Sequence, residues 1–139
     1  MMSIFNIFDV AGSGMSAQST RLNVTASNMA NASTVASSAD TVYRARQPIF
    51  EAAMQQASHQ QQSVPVLIAG IVESDKPMMA EYNPNHPLAD GDGYIYKPNV
   101  NVVEEMANMI SATRSYQANV QLASAAKDMA QQTLRLGKG

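Results

Sequence analysis

Two stretches of this chain carry a seven-residue beat. In the first, Phe8, Met15, Leu22 and Met29 recur at every seventh position, and Ala11, Gln18, Thr25 and Ala32 follow three places behind each of them. That spacing lays both rows along one stripe of a helix. Large and small residues alternate in it, so the predicted seam is thin and lets a neighbour come close. In the second stretch, Val102, Met106, Met109, Thr113, Tyr116, Val120, Ala123, Lys127, Ala130 and Leu134 alternate by fours and threes. This is the a/d pattern of a coiled coil, with Lys127 its one charged member. A helix from Asn101 to Leu136 would be roughly 54 Å long. Pro98 and Asn99, the latter a candidate cap, suit its start, and Gly137 suits its end.

Proline separates the two beats. All six prolines fall between Pro48 and Pro98, and a proline inside a helix costs about 3 kcal/mol. The pattern predicts a mainly α fold with a small β insert: two long terminal helices forming a coiled-coil-like pair, with a short-strand hairpin domain between them. The expected divisions are residues 1–35, 36–99 and 100–139. Within the insert, Thr41 to Phe50, Val64 to Glu73, Met79 to Tyr82 and Tyr94 to Tyr96 read as strands, Asn83 to Gly93 as turns, and the glutamine-rich Met54 to Ser63 as a loop. Gly12 and Gly14 each cost about 1 kcal/mol in a helix interior, which predicts a frayed or bent first helix in the isolated chain.

The polar faces change the picture. A helix bathed in water usually shows Lys and Glu on its outer side, yet from Met1 to Ala39 the only charged residues are Asp9 and Arg21. The remaining polar positions are Ser, Thr, Asn and Gln, which are cheaper to enclose than charges once hydrogen-bonded. Two such helices alone would bury one seam and little else. The composition therefore favours helices enclosed by further copies, with ends that order on joining neighbours. A net charge of −2 excludes the basic field expected of a nucleic-acid binder. No stretch is long and apolar enough to span a bilayer, so no direct membrane insertion is expected. The apolar start around Ile4 to Phe8 lacks a basic leader, is interrupted by Asn6 and Asp9, and is followed by no clean cleavage pattern, so a classical secretory signal is not expected.

Chemistry-bearing constellations are few. There is no cysteine, and His59 and His86 have no partner at ligand or triad spacing. Asp90-Gly91-Asp92-Gly93 opens like a calcium loop, but Tyr94 and Asn101 stand where oxygen ligands belong, so it reads as a turn. Glu104 and Glu105 suit the first turn of a helix. No enzyme activity, cofactor, metal or small-molecule substrate is expected.

Two segments carry a resemblance. The run Arg21 to Thr34, with Asn28 and Asn31 one helical turn apart, is similar to the amino-terminal signature of the flagellar rod, hook and filament-axial family. Pro98 to Met106, continuing through Arg114-Ser115-Tyr116-Gln117-Ala118-Asn119 to Gly137, resembles that family's carboxy-terminal signature. The short length, the opening Ile4 to Gly14 and the segment Tyr82 to Tyr94 resemble its small proximal-rod members. Asn101 stands where the family often has aspartate.

The resemblance implies a structural subunit of the drive shaft that crosses the periplasm. Its partners would be copies of itself, other flagellar rod proteins and the flagellar type III export apparatus. Terminal helices would line a tube, with the middle segment outside it. The residues expected at subunit interfaces are Phe8, Met15, Leu22, Asn28, Met29, Asn31, Met106, Met109, Arg114, Tyr116, Gln117, Asn119, Val120 and Leu134. Asn28 and Asn31 are also placed to bond backbone groups where the first helix ends. Two alternatives stay open: a different small rod protein of the same family, and a soluble two-helix adapter that grips a partner through its methionine-rich seam.

Overall fold

A computed structural model of the chain describes residues 4–53 and 64–137. Its elements run α1 (Ile4–Asn31), β1 (Arg46–Ala52), β2 (Val66–Glu73), β3 (Met79–Tyr82), β4 (Tyr94–Lys97) and α2 (Val102–Leu136). The predicted helix, β insert, helix order is the observed one. The first strand begins at Arg46 rather than Thr41, because Tyr43 to Ala45 are held by side chains from elsewhere in the chain. The glutamine-rich segment expected as a loop lies outside the described residues.

The two helices pack antiparallel. Arg21 Nη2 donates to Asn108 Oδ1 at 3.0 Å. Gly14, two turns earlier in α1, meets Asn119, three turns further along α2. At about 1.5 Å per residue, α1 is about 42 Å long and α2 about 52 Å. Asn101, not Asn99, caps α2: its Oδ1 accepts from the amides of Val103 at 3.1 Å and Glu104 at 3.3 Å. Glu104 and Glu105 follow in the first turn, where negative charge suits the exposed amide ends.

The insert holds two separate antiparallel hairpins. Strands β1 and β2 pair from Arg46 opposite Glu73 to Ala52 opposite Val66, with a bulge at Ile49/Phe50. Strands β3 and β4 pair from Met79 opposite Lys97 to Tyr82 opposite Tyr94. The chain leaving α1 joins the second hairpin through two bonds of 2.9 Å between Ala36 and Tyr96. The first hairpin lies along α1, where the amide of Val66 donates to Ser13 Oγ at 3.1 Å.

The core is made of small side chains. Among the described residues the buried apolar ones are Ala11, Ala17, Val24, Val42, Ala45, Ile95, Ala112 and Ala126, and the largest side chain with almost no exposure is Asn28. The chain exposes 9631 Å², against about 7000 Å² for a compact monomer of its mass. Large apolar side chains have been left outside.

Candidate assembly interface

The helix pair closes along rows of small and polar residues. On α1 the buried or half-buried line runs through Ala11, Gly14, Gln18, Arg21, Thr25 and Asn28, and on α2 through Glu105, Asn108, Ala112, Ser115, Asn119 and Ala126. The predicted α1 seam shares Ala11, Gln18 and Thr25 with this line. Its larger row is displaced by one position, and one residue turns a helix surface by about 100°. The predicted α2 seam is displaced in the same sense. A built Cβ on Gly14 would sit 2.7 Å from Asn119 Nδ2, so the absence of a side chain there sets how closely the helices approach.

The large apolar rows consequently lie on the flank of the pair. Phe8 is 37% exposed, Met106 50%, Tyr116 38%, Val120 43% and Leu134 71%. Met15, Leu22, Met29 and Met109 are half-buried, and Arg114 and Gln117 are exposed. Phe5, Val103, Ile110 and Leu136 add to the exposed apolar surface. Asn119 is drawn into the seam within the chain. Among the described residues no ion pair joins the two helix shafts. The three that form, Arg46 with Glu73, Lys76 with Glu104 and Lys97 with Glu81, all involve the insert.

Asn28 also turns inward. Its Nδ2 donates to the Arg46 carbonyl at 2.8 Å, while its Oδ1 accepts from the Arg46 amide at 2.9 Å and from the Tyr43 hydroxyl at 2.8 Å. Asn31 Nδ2 bonds the Ser27 carbonyl at 2.8 Å, finishing the last turn of α1. From the other side, Asn99 accepts from the Ala45 amide at 2.8 Å and donates to the carbonyls of Lys76 at 2.7 Å and Ser74 at 3.2 Å. Two asparagines thus clamp the Ala45–Arg46 backbone and fix the first hairpin against the helices. The Arg46 guanidinium packs over the Tyr43 ring at 5.7 Å. Sequence reasoning singled out Asn28 but took Asn99 for a helix cap and Gly14 for a weak point of the first helix, and gave Tyr43 no contact; their partners are backbone groups or distant side-chain amides, which no side-chain pattern announces.

The Asp90 segment is a turn, as expected. Asp90 Oδ1 accepts from the amides of Tyr94 at 2.8 Å and Asp92 at 3.0 Å, and Oδ2 from the Tyr96 hydroxyl at 3.3 Å. The Tyr94 amide, foremost among these donors, holds the Asp90 carboxyl below its ordinary value of 3.8. The Tyr96 hydroxyl's own bond to the Asp90 carboxylate raises that hydroxyl above its ordinary value of 10.0. Gly93 closes the turn at φ 85°, with Tyr82 and Pro84 against it. Among the described residues no group of three His, Asp or Glu side chains could hold a metal, and no helix is long and apolar enough to cross a membrane.

The chain is a helix pair with an anchored hairpin and exposed apolar rows. Comparison with known proteins gives its family. A family model described as flagella basal body rod protein matches residues 8–35, and one described as flagellar basal body rod FlgEFG protein C-terminal matches residues 92–136. Flagellar basal-body rod protein FlgC of Salmonella typhimurium is 47% identical over 137 residues, covering 99% of this chain and 100% of the relative. The FlgC proteins of Yersinia enterocolitica and Borreliella burgdorferi are 48% and 34% identical, with the same coverage. The chain belongs to the FlgC family of flagellar basal-body rod proteins. It is a structural protein, not an enzyme. Both family models fall on the helices and the turn before α2, and neither reaches the β1–β2 hairpin. In this FlgC-family chain the matched segments therefore carry most of the shaft, β4 and the Asn28 and Asn101 anchors, and the second begins just after Asp90.

Proposed function

We propose that copies of this chain assemble helically, with other rod proteins, into the proximal rod that transmits torque across the periplasm. The chain reaches that place through the flagellar type III export apparatus without losing a signal peptide. The observation that carries this reading is the placement of the apolar rows. Small residues close the helix pair, so Phe8, Leu22, Met106, Tyr116 and Val120 stay available to neighbours. Burying such side chains contributes about 1.5–3 kcal/mol each. Repeated around an axis, this outweighs the entropy lost when subunits join. Heterologous contacts of one face on another generate such a stack. Residues 1–35 and 100–139 form the axial layer, and residues 36–99 stand outside it, held at a fixed angle by Asn28 and Asn99.

The test is a Tyr116→Ala chain expressed in place of the native one in a flagellated bacterium. The expected result is a variant that is exported but absent from purified basal bodies, in cells that do not swim. Normal motility would contradict the packing role, and retention in the cytoplasm would contradict the export route.

A further inference from the structure

The start of α2 carries an exposed apolar stripe with sulfur at its centre. Val103, Met106 and Ile110 follow one another at intervals of three and four, which sets them on one face of the helix. All three are at least half exposed. Val103 and Ile110 are hydrocarbon and inert to mild oxidants, whereas the Met106 thioether is not. The chain has no cysteine, so methionine is the only sulfur an oxidant meets. Access separates the methionines. Met106 is 50% exposed and Met79, on β3, 61%, while Met15, Met29 and Met109 are half-buried. Met109 lies on the same helix within one turn of Met106, so the two differ chiefly in how much of each meets water.

We propose that Met106 is a modification site, at which hydrogen peroxide converts the free chain into a form that cannot join the rod. The thioether sulfur attacks one peroxide oxygen and the O–O bond breaks. An S–O bond forms, and the proton of the attacked oxygen passes to the departing hydroxide, which leaves as water. Sulfur loses two electrons and peroxide gains them, so the products are one sulfoxide and one water. The sulfoxide puts a polar S–O group in the middle of the Val103–Ile110 stripe. Enclosing that oxygen against an apolar neighbour without a hydrogen-bond donor is costly. Enclosure also works the other way, since a covered Met106 is closed to peroxide. The free chain is therefore sensitive and the assembled chain protected. The site rests on the assembly reading above and adds to it a chemical control over which chains are accepted.

The experiment has a free-chain arm and a cellular arm. The full-length free chain is treated with hydrogen peroxide, and each methionine is followed by peptide mass spectrometry. Met106 and Met79 are expected to oxidise several-fold faster than Met109. Cells carrying wild type, Met106→Leu or Met106→Gln are then given a peroxide pulse while they build flagella. Basal bodies completed after its removal are counted, each strain against its own untreated culture. Wild type should lose several-fold more of them than Met106→Leu, which keeps the apolar side chain and lacks the sulfur. Met106→Gln, a permanent polar group at the same place, should lower incorporation several-fold with no peroxide added. Three results would overturn the site: equal oxidation rates at Met106 and Met109, equal peroxide losses in wild type and Met106→Leu, or a Met106→Gln chain that assembles like wild type. Untreated wild-type chain missing from basal bodies would overturn the assembly reading and the site's effect with it, a failure visible before any peroxide is used.

Discussion

Asn28 shows how much structure one side chain can carry here. It satisfies both backbone groups of Arg46 and the Tyr43 hydroxyl at once. Alanine in its place would leave the Arg46 amide and carbonyl without this partner in a site 1% exposed, and the Tyr43 hydroxyl with only Ser27 Oγ at 3.3 Å. Each unsatisfied buried group costs about 1–3 kcal/mol. Asn28→Ala is therefore expected to destabilise the free chain by about 3 kcal/mol, read by thermal or denaturant unfolding. Tyr43→Phe, which removes the hydroxyl's bonds to Asn28 and Ser27 and keeps the ring under Arg46, should cost about 1–2 kcal/mol. Equal losses in the two variants would place the clamp elsewhere. The pair of asparagines three apart was legible in the sequence, including its use on backbone near the helix end. Its partner was not, because Arg46 contributes main-chain atoms that any residue would offer. Asn99 was misread as the α2 cap for a related reason: two asparagines flank Val100, and only the bend of the chain decides which amide each one meets.

At the scale of elements, both helices, the insert and the β3 and β4 hairpin followed from proline placement and periodicity. The phase of the helix pair did not. Heptad counting selects the largest apolar residues as the seam, whereas the closest approach belongs to Gly14, Ala112 and Asn119. Helices without large residues between them pack tightly, and that leaves the large rows to other partners. Gly14→Ala tests this geometry. Alanine gains about 1 kcal/mol of helix propensity over glycine, but its methyl would press on Asn119. In an Asn119→Ala background the substitution should stabilise the chain by up to about 1 kcal/mol. In the native background the gain should be lost to the clash, and the double-mutant cycle measures the coupling. The Asp90 turn makes a pH prediction. Its carboxyl is depressed in the folded chain, so its contribution is present above 3.8 and is lost as pH falls through the folded value. The Tyr94 amide resonance should shift with that acid-side titration, and Asp90→Asn should abolish the response.

Across the whole molecule, surface is the dominant fact. The alanine-rich core leaves large apolar side chains along both flanks. Exposed positions change monomer stability little when altered, typically within about 0.5 kcal/mol. Val120→Ser and Met106→Ser should leave the unfolding midpoint of the free chain nearly unchanged and still prevent incorporation into rods. The uncharged character of α1 is what led the sequence to suggest enclosure by other copies; how copies tile was not legible, since tiling depends on surfaces of other subunits. The chain has no cysteine, so single cysteines report cleanly on shelter. The most direct test is the alkylation rate of cysteines placed at Leu22, Tyr116 and Val120, measured in the free chain and in isolated basal bodies, with Ala112→Cys as the buried reference. The account predicts rapid labelling of the three in the free chain, protection approaching that of the reference in basal bodies, and a reference closed in both. Flank cysteines that stay as reactive in basal bodies as in the free chain would contradict it.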